Sequence, residues 1–290
     1  LHPQFNYFII FALWVQFLNQ IYLMNKEILI NQSLVKDLLK YEKDDLCGLV
    51  FTNKWIYKNF GKSSLSQNLG QYFEYLATGS LPKGGKVPLP ESLKPYGLVK
   101  EQVEYFNYLF DKKGIEITNN GFEIEADNKW VGTLDVLANW KQIFEDESVY
   151  LDSNNKDYKV IIDLKYSGLL EDKYSDFGWD ENSLPHNDNT LLQATHYKFL
   201  YWKKYGVNIP FFFFVFDSKK TKKAKLIHIS IPEYKLEKHE EFLNKAKFYF
   251  DNQIKLGFKP KPEYKRCIEC DYLDICLFKV DLPEIIHINL

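Results

Sequence analysis

The segment Val160-Ile161-Ile162-Asp163-Leu164-Lys165-Tyr166 decides how the chain reads. Three β-branched residues lead into an acid, an apolar spacer and a lysine, a composition suited to a strand. Strand side chains alternate between faces, so Asp163 and Lys165 share one side while Ile162 and Leu164 take the other. A buried strand seldom carries two charges on one face, because each charge taken out of water must be compensated. The rest of the chain is therefore read for groups that compensate them.

Composition narrows the classes. A hydrophobic fraction of 46% with 17% aromatics describes an ordered globular chain, long enough at 290 residues for one large core. The net charge of −2 gives no global basic field, so any nucleic-acid surface must be local. Arg266 is the sole arginine, which leaves phosphate contacts mainly to lysine. The only methionine is Met24. Residues 1–23 carry a short apolar run, 8–15, without a basic segment before it and with Gln16, Asn19 and Gln20 soon after. That lacks secretory grammar and is short and polar for a membrane span; a packed extra helix and a membrane anchor are the alternative readings. Residues 1–23 are expected to be an upstream leader outside the core, and 24–290 a single domain in a reducing, cytoplasmic compartment.

Periodicity predicts helices over 31–43, 69–77 and 100–112, then a change of period at Ile115. Short strands follow at 115–117, 122–124 and 134–137, with turns at Asn119-Asn120-Gly121 and Asp127-Asn128. The central strand leads into a long polar and aromatic loop, 167–189, of a length that is usually functional. A helix to about Tyr205, strands at 209–216 and 226–231, and a helix over 234–256 complete the pattern. The expected fold is α/β, a central mixed sheet flanked by helices.

Gly132-Thr133-Leu134-Asp135 supplies a second strand acid. Two carboxylates on adjacent strands repel each other, and a hard divalent cation such as Mg²⁺ or Mn²⁺ relieves that repulsion. Glu74, on the early helix, is a third carboxylate for the same cation or a second one. Gln193 and Tyr197 stand at i and i+4 on a later helix and can face one cleft. Taken singly these are ordinary: a strand Asp-x-Lys is commonly a solvated edge, and Glu74 a surface acid. Their order on these elements is not ordinary.

The ordered set Glu74, Gly132-Thr-Leu-Asp135, Ile162-Asp163-Leu-Lys165 and Gln193-x-x-x-Tyr197 resembles the PD-(D/E)xK nuclease superfamily, in its RecB-like exonuclease branch. The resemblance implies a restriction-endonuclease-like core and Mg²⁺ or Mn²⁺ held by Glu74, Asp135 and Asp163. It also implies Lys165 at the nucleophile, with Gln193 and Tyr197 supporting the site. The implied activity is DNA hydrolysis, as an exonuclease on single strands or duplex ends, with a helicase, recombination or CRISPR-adaptation partner. A restriction-type endonuclease on the same fold, or a DNA-binding scaffold with a vestigial site, are the alternatives. Many members of that branch carry histidine where this chain has Glu74.

Four cysteines remain: Cys47, then Cys267-x2-Cys270-x5-Cys276. One early and three late cysteines depart from the two close pairs of simple zinc ribbons. They resemble the iron–sulfur staple of RecB-like nucleases in the AddB and CRISPR-associated groups. The resemblance implies a [4Fe–4S] cluster joining the two ends of the domain, with zinc as the alternative occupant. Closing so long a loop costs roughly 5 kcal/mol, against about 10–16 kcal/mol released by a structural four-ligand zinc site. Lysines at 198, 203–204, 219–225, 255, 259, 261 and 265, with Arg266, read either as solvated faces and turns or as a track for phosphates, and Tyr174, Phe177 and Trp179 either as core aromatics or as rings that stack on bases.

Overall fold

The computed structural model describes residues 28–81, 87, 96–145, 155–175, 178–182 and 188–276. Residues 1–27, which include the segment expected to be a leader, most of the loop at 81–95, Phe177 and the chain after Cys276 lie outside the described residues. In chain order the elements are α1 (Gln32–Glu42), α2 (Gly48–Trp55), α3 (Leu65–Thr78), α4 (Tyr96–Lys112), β1 (Glu116–Ala126), β2 (Trp130–Asn139), β3 (Lys159–Ser167), α5 (Asp188–Tyr205), β4 (Phe211–Asp217), β5 (Ala224–Ile229), α6 (Glu233–Leu256) and α7 (Tyr264–Ile268). Two compact units emerge among the described residues, Leu29–Gln32 with Ser63–Phe242, and Ser33–Lys62 with 243–276. Among the described residues no helix is long and apolar enough to cross a membrane.

The larger unit is an α/β layer structure. Its five-stranded sheet runs in chain order, β1-β2-β3-β4-β5, and is antiparallel except for the parallel pair β3–β4. A parallel pair requires a crossover, and α5 provides it. Alternation sorts β3 as its residues dictate. Val160, Ile162 and Leu164 join Phe212, Phe214 and Phe216 of β4 in a core with Phe73 of α3 and Phe106 and Phe110 of α4. Each fully buried Phe contributes about 1.5–3 kcal/mol of transfer free energy. The opposite face meets α5, whose Ala194, Phe199 and Leu200 are fully buried. With both faces covered, β4 is buried along its whole length, Phe-Phe-Phe-Phe-Val-Phe-Asp.

Three local readings change. Asn119-Asn120-Gly121 is not a turn: β1 runs through it, with a register shift between Ile117 and Asn119, while Asn119 pairs with Leu137 and Asn120 with Val136. Cross-strand pairing overrides the local turn preference. Gly121 keeps a positive φ of 52°, and a Cβ there would stand 2.8 Å from the Ser80 hydroxyl. The true β1–β2 turn is Asp127-Asn128, both residues at positive φ (54° and 53°), the twist that tight hairpins need. Second, α3 starts at Leu65, four residues before Leu69, because Ser64 and Gln67 form a reciprocal capping box. Third, α2 directly follows Cys47, where no helix was expected.

Within the larger unit α5 and the start of α6 meet through a buried histidine pair. His196 Nε2 lies 3.2 Å from the Val131 carbonyl, and its Nδ1 lies 3.3 Å from His239 Nε2. The carbonyl can only accept, so Nε2 of His196 carries the hydrogen and Nδ1 accepts from His239. Burial lowers the His196 pKa to about 4, and burial plus the His196 ring lowers that of His239 to about 3. Both rings are therefore neutral in the folded chain. The unfolded chain, with histidine near 6.5, binds protons first as pH falls. Stability is therefore full above about pH 6.5 and declines toward pH 4, by on the order of 3 kcal/mol for His196 alone. Urea midpoints measured from pH 7.5 to 4 should show this fall; a flat profile over that window would mean that the rings are not held neutral.

Candidate active site

The β2–β3 ladder ends at Val136–Ile162. One step further the antiparallel register sets Asp135 opposite Asp163, and there a side chain replaces the backbone partner: the Leu164 N–H donates to Asp135 Oδ2 at 2.9 Å. The strands part at this point, and both acids project to the α5 face. Asp163 is fully buried. Its Oδ1 accepts from Gln193 Nε2 at 2.8 Å, and its Oδ2 pairs with the Lys165 ammonium. The Gln193 amide also donates to Tyr197 Oη at 3.3 Å, so two α5 residues one turn apart act as one clasp.

Electrostatics bind the set together. Burial, then the charges of Asp163 and Glu74, hold the Asp135 carboxyl well above the usual range. Burial also raises Asp163, against the opposing pull of Lys165. Burial opposes the Lys165 charge too, yet Asp163, Asp135 and Glu74 outweigh it, and its pKa stands above the ordinary lysine value. Burial and the same acids push the Tyr197 phenol up, so it stays protonated. Glu74 thus lies within the field of Asp135, Lys165 and Tyr197. Asp135, Asp163, Lys165, Gln193 and Tyr197 are brought together by direct contacts, and Glu74 acts on three of them through its charge.

Gly132 explains how α5 comes so near. A Cβ there would stand 2.7 Å from Leu200 Cδ1 and 3.1 Å from Tyr197 Cε1. The bare glycine lets the Tyr197 ring lie against β2, which aims Gln193 at Asp163. The sequence showed the glycine but not this approach, which depends on α5, some sixty residues further along the chain.

The structure divides the aromatic and lysine alternatives residue by residue. Trp179 is buried, edge-on to Phe213 at 5.3 Å, and belongs to the core. Lys198 is buried as well, and Lys203 pairs with Glu240 at 2.8 Å and with Asp127 at 3.5 Å. Tyr174, by contrast, is 95% exposed.

The smaller unit carries the cysteines. Cys47, Cys267, Cys270 and Cys276 form no disulfide and all line one cavity of about 280 Å³. Burial raises the Cys270 thiol, and Cys47, Cys276 and Cys267 add to it. The Lys261 N–H donates to Cys47 Sγ at 3.2 Å. Gly48 is required beside it, because a Cβ would collide with the Lys259 carbonyl. Among the described residues no group of three or more His, Cys, Asp or Glu side chains stands in metal-holding geometry. By donor chemistry alone, the first place offers carboxylate oxygens, the type a hard cation takes, and the second offers four thiols around one cavity, the type a soft centre takes.

No protein-family model and no curated protein matches the chain. Among solved structures, a candidate exonuclease from Eubacterium rectale aligns with a TM-score of 0.55 at 17% identity, covering 90% of this chain and 91% of its own. The structure of SSO0001 aligns over 94% of this chain and 98% of its own at 13% identity, with a TM-score of 0.34. The first likeness shows a shared fold; the second is too weak to carry an argument.

Replacing Gly132 by Ala should cost about 1–3 kcal/mol, because the new methyl group must displace Leu200 or Tyr197. Urea denaturation measures this, and an unchanged midpoint would mean that α5 is not seated against β2 as described.

Proposed function

We propose that the protein is a divalent-metal-dependent DNA nuclease, acting as an exonuclease, with Glu74, Asp135 and Asp163 holding Mg²⁺ or Mn²⁺. The observation that carries this reading is the Asp163 carboxylate: wholly buried, it has one oxygen on Lys165 and the other on Gln193, and it shares one electrostatic field with Asp135 and Glu74. Structural proteins rarely concentrate three acids and a lysine around one buried carboxylate, whereas hydrolytic sites use such perturbed groups. The fold shared with a candidate exonuclease agrees with it.

When bound, the cation would supply an acidified water and offset the charge that develops on phosphate. The chain's own groups do the rest. Lys165 stays cationic and presents an ammonium to an incoming phosphate or water. Gln193 fixes the Asp163 rotamer by donating to one oxygen, and Tyr197 accepts from the same amide, so neither carboxylate oxygen can swing away. The hydrophobic surround of β4, with Phe213 beneath the Lys165 ammonium at 5.7 Å, keeps the pair in a low-dielectric setting.

We further assign Cys47, Cys267, Cys270 and Cys276 to a [4Fe–4S] cluster, with zinc as the alternative occupant. Their support is a single cavity lined by all four.

End-labelled linear DNA with Mg²⁺ or Mn²⁺ should be degraded by the wild type, and at least about 100-fold more slowly by Asp163→Ala and by Lys165→Ala. Cleavage at wild-type rate by either variant would sink the assignment, and closed-circular substrate separates endonuclease from exonuclease. Protein purified without oxygen should contain iron and acid-labile sulfide, both lost in Cys270→Ser; stoichiometric zinc without iron would overturn the cluster assignment.

A further inference from the structure

Beyond Lys165, β3 and β4 stay paired to Ser167–Asp217, and the chain there opens a second cavity of about 470 Å³. It is lined by Lys173 and Tyr174 from the loop after β3, and by Lys219, Lys220 and Lys223 from the turn after β4. Gly168, three residues past Lys165, begins that loop, about 10 Å along the strand from the acid–lysine centre.

Several features mark this as a built surface and not a solvated lysine turn. Gln102 of α4 is fully buried, and its Nε2 donates to the carbonyls of Asp217, Lys220 and Lys223, at 2.7, 2.7 and 3.2 Å. One amide thus fixes the whole turn, while its own Oε1 is left buried without a partner, a cost that a free surface turn has no reason to bear. The carboxylates lining the cavity are already engaged. Asp217 Oδ1 accepts from the backbone N–H groups of Lys219 and Lys220, Asp172 Oδ1 from those of Tyr174 and Ser175, and Glu171 pairs with Lys223 and Lys225. Gly168 leaves room for the Lys219 stem, whose Cε would stand 2.8 Å from a Cβ there. Tyr174, with its backbone pinned by Asp172, offers both ring faces to solvent.

We infer that this cavity is a strand-binding subsite: Lys219, Lys220 and Lys173 receive the phosphates of a single DNA strand, Tyr174 stacks on one of its bases, and Gln102 positions the turn. A flexible single strand suits it better than a duplex, because the aromatic group needs an unpaired base face and the lysines are point charges with no fixed fork. The subsite deepens the nuclease reading, since the strand it holds would lead along β3 to Lys165.

Fluorescence anisotropy with a labelled single-stranded oligonucleotide in EDTA tests it, because binding is then read without cleavage. Lys219 and Lys220 are exposed, so their replacement does not threaten the fold. The double variant Lys219→Ala/Lys220→Ala should bind about tenfold or more weakly, with its log–log salt slope reduced by about 1.4, two phosphate contacts at roughly 0.7 each. Tyr174→Ala should lose about tenfold with the salt slope unchanged. Gln102→Leu, with all lysines present, should weaken binding as the double variant does. Unchanged affinity and slope in the double variant, or no strand binding by the wild type, would overturn the subsite. Degradation of end-labelled DNA by the wild type with Mn²⁺ is measured alongside. Its absence would sink the nuclease reading, while lysine-dependent strand binding would leave the subsite standing.

Discussion

A carboxylate without solvent contact must be compensated by the groups around it, and Asp163 imposes that demand on the elements beside it. Lys165, two residues on, answers from the same strand face. Gln193 answers from α5, which must approach β2 closely, and Gly132 permits that approach. The sheet supplies the dry setting: β4 is apolar on both faces, so its Phe211 and Phe213 leave no polar alternative beside the pair. Asp135 then adds a second acid at the point where β2 and β3 part. The outcome is a notch where negative charge is held under stress by packing, the condition under which a cation or a phosphate-bound cation gains most.

Parity and order made much of this legible. Alternation alone sets Asp163 and Lys165 on one face, and the strand, crossover helix, strand pattern already implies a parallel pair with the notch beside it. What stayed hidden depends on distant contacts. Gly132 is visible as a residue, but the ring it admits comes from Tyr197. Gln102 reads as an unremarkable polar residue inside a helix, because the three carbonyls it serves lie more than a hundred residues downstream. Asn119-Asn120-Gly121 carries a strong turn signal that ladder pairing overrules, and Trp179 is drawn into the core by Phe213. The Ser64–Gln67 capping box, by contrast, was readable from its spacing and extends α3 by a full turn.

Besides the Lys261–Cys47 hydrogen bond, the smaller unit has a set of contacts that do not involve sulfur. Phe51 and Phe258 stack at 4.3 Å, and Tyr41 meets Phe258 edge-on at 5.2 Å. Lys261 donates to the Tyr41 carbonyl at 2.7 Å, lies over the Tyr41 ring, and pairs with Asp44. Tyr272 donates to the Asn59 carbonyl at 2.6 Å, and the Lys62 N–H donates to Asp271 at 3.1 Å. Segments far apart in sequence are thereby joined by aromatic packing and hydrogen bonds, each worth about 0.5–1.5 kcal/mol, and the cysteines sit in a frame that these contacts define.

The phenylalanine run of β4 has a bearing on how the chain survives its own synthesis. Phe211 to Phe216 is a window of six apolar residues with no charge and no proline, the composition that zips identical copies together when left uncovered. Its native partner β3 is joined by a long crossover, a connection that is slow to close. Pro210 precedes the window, and Asp217 and the lysines at 219, 220, 222, 223 and 225 follow it. Flanking breakers and like charges of this kind act as gatekeepers, holding nascent copies apart until the sheet is formed.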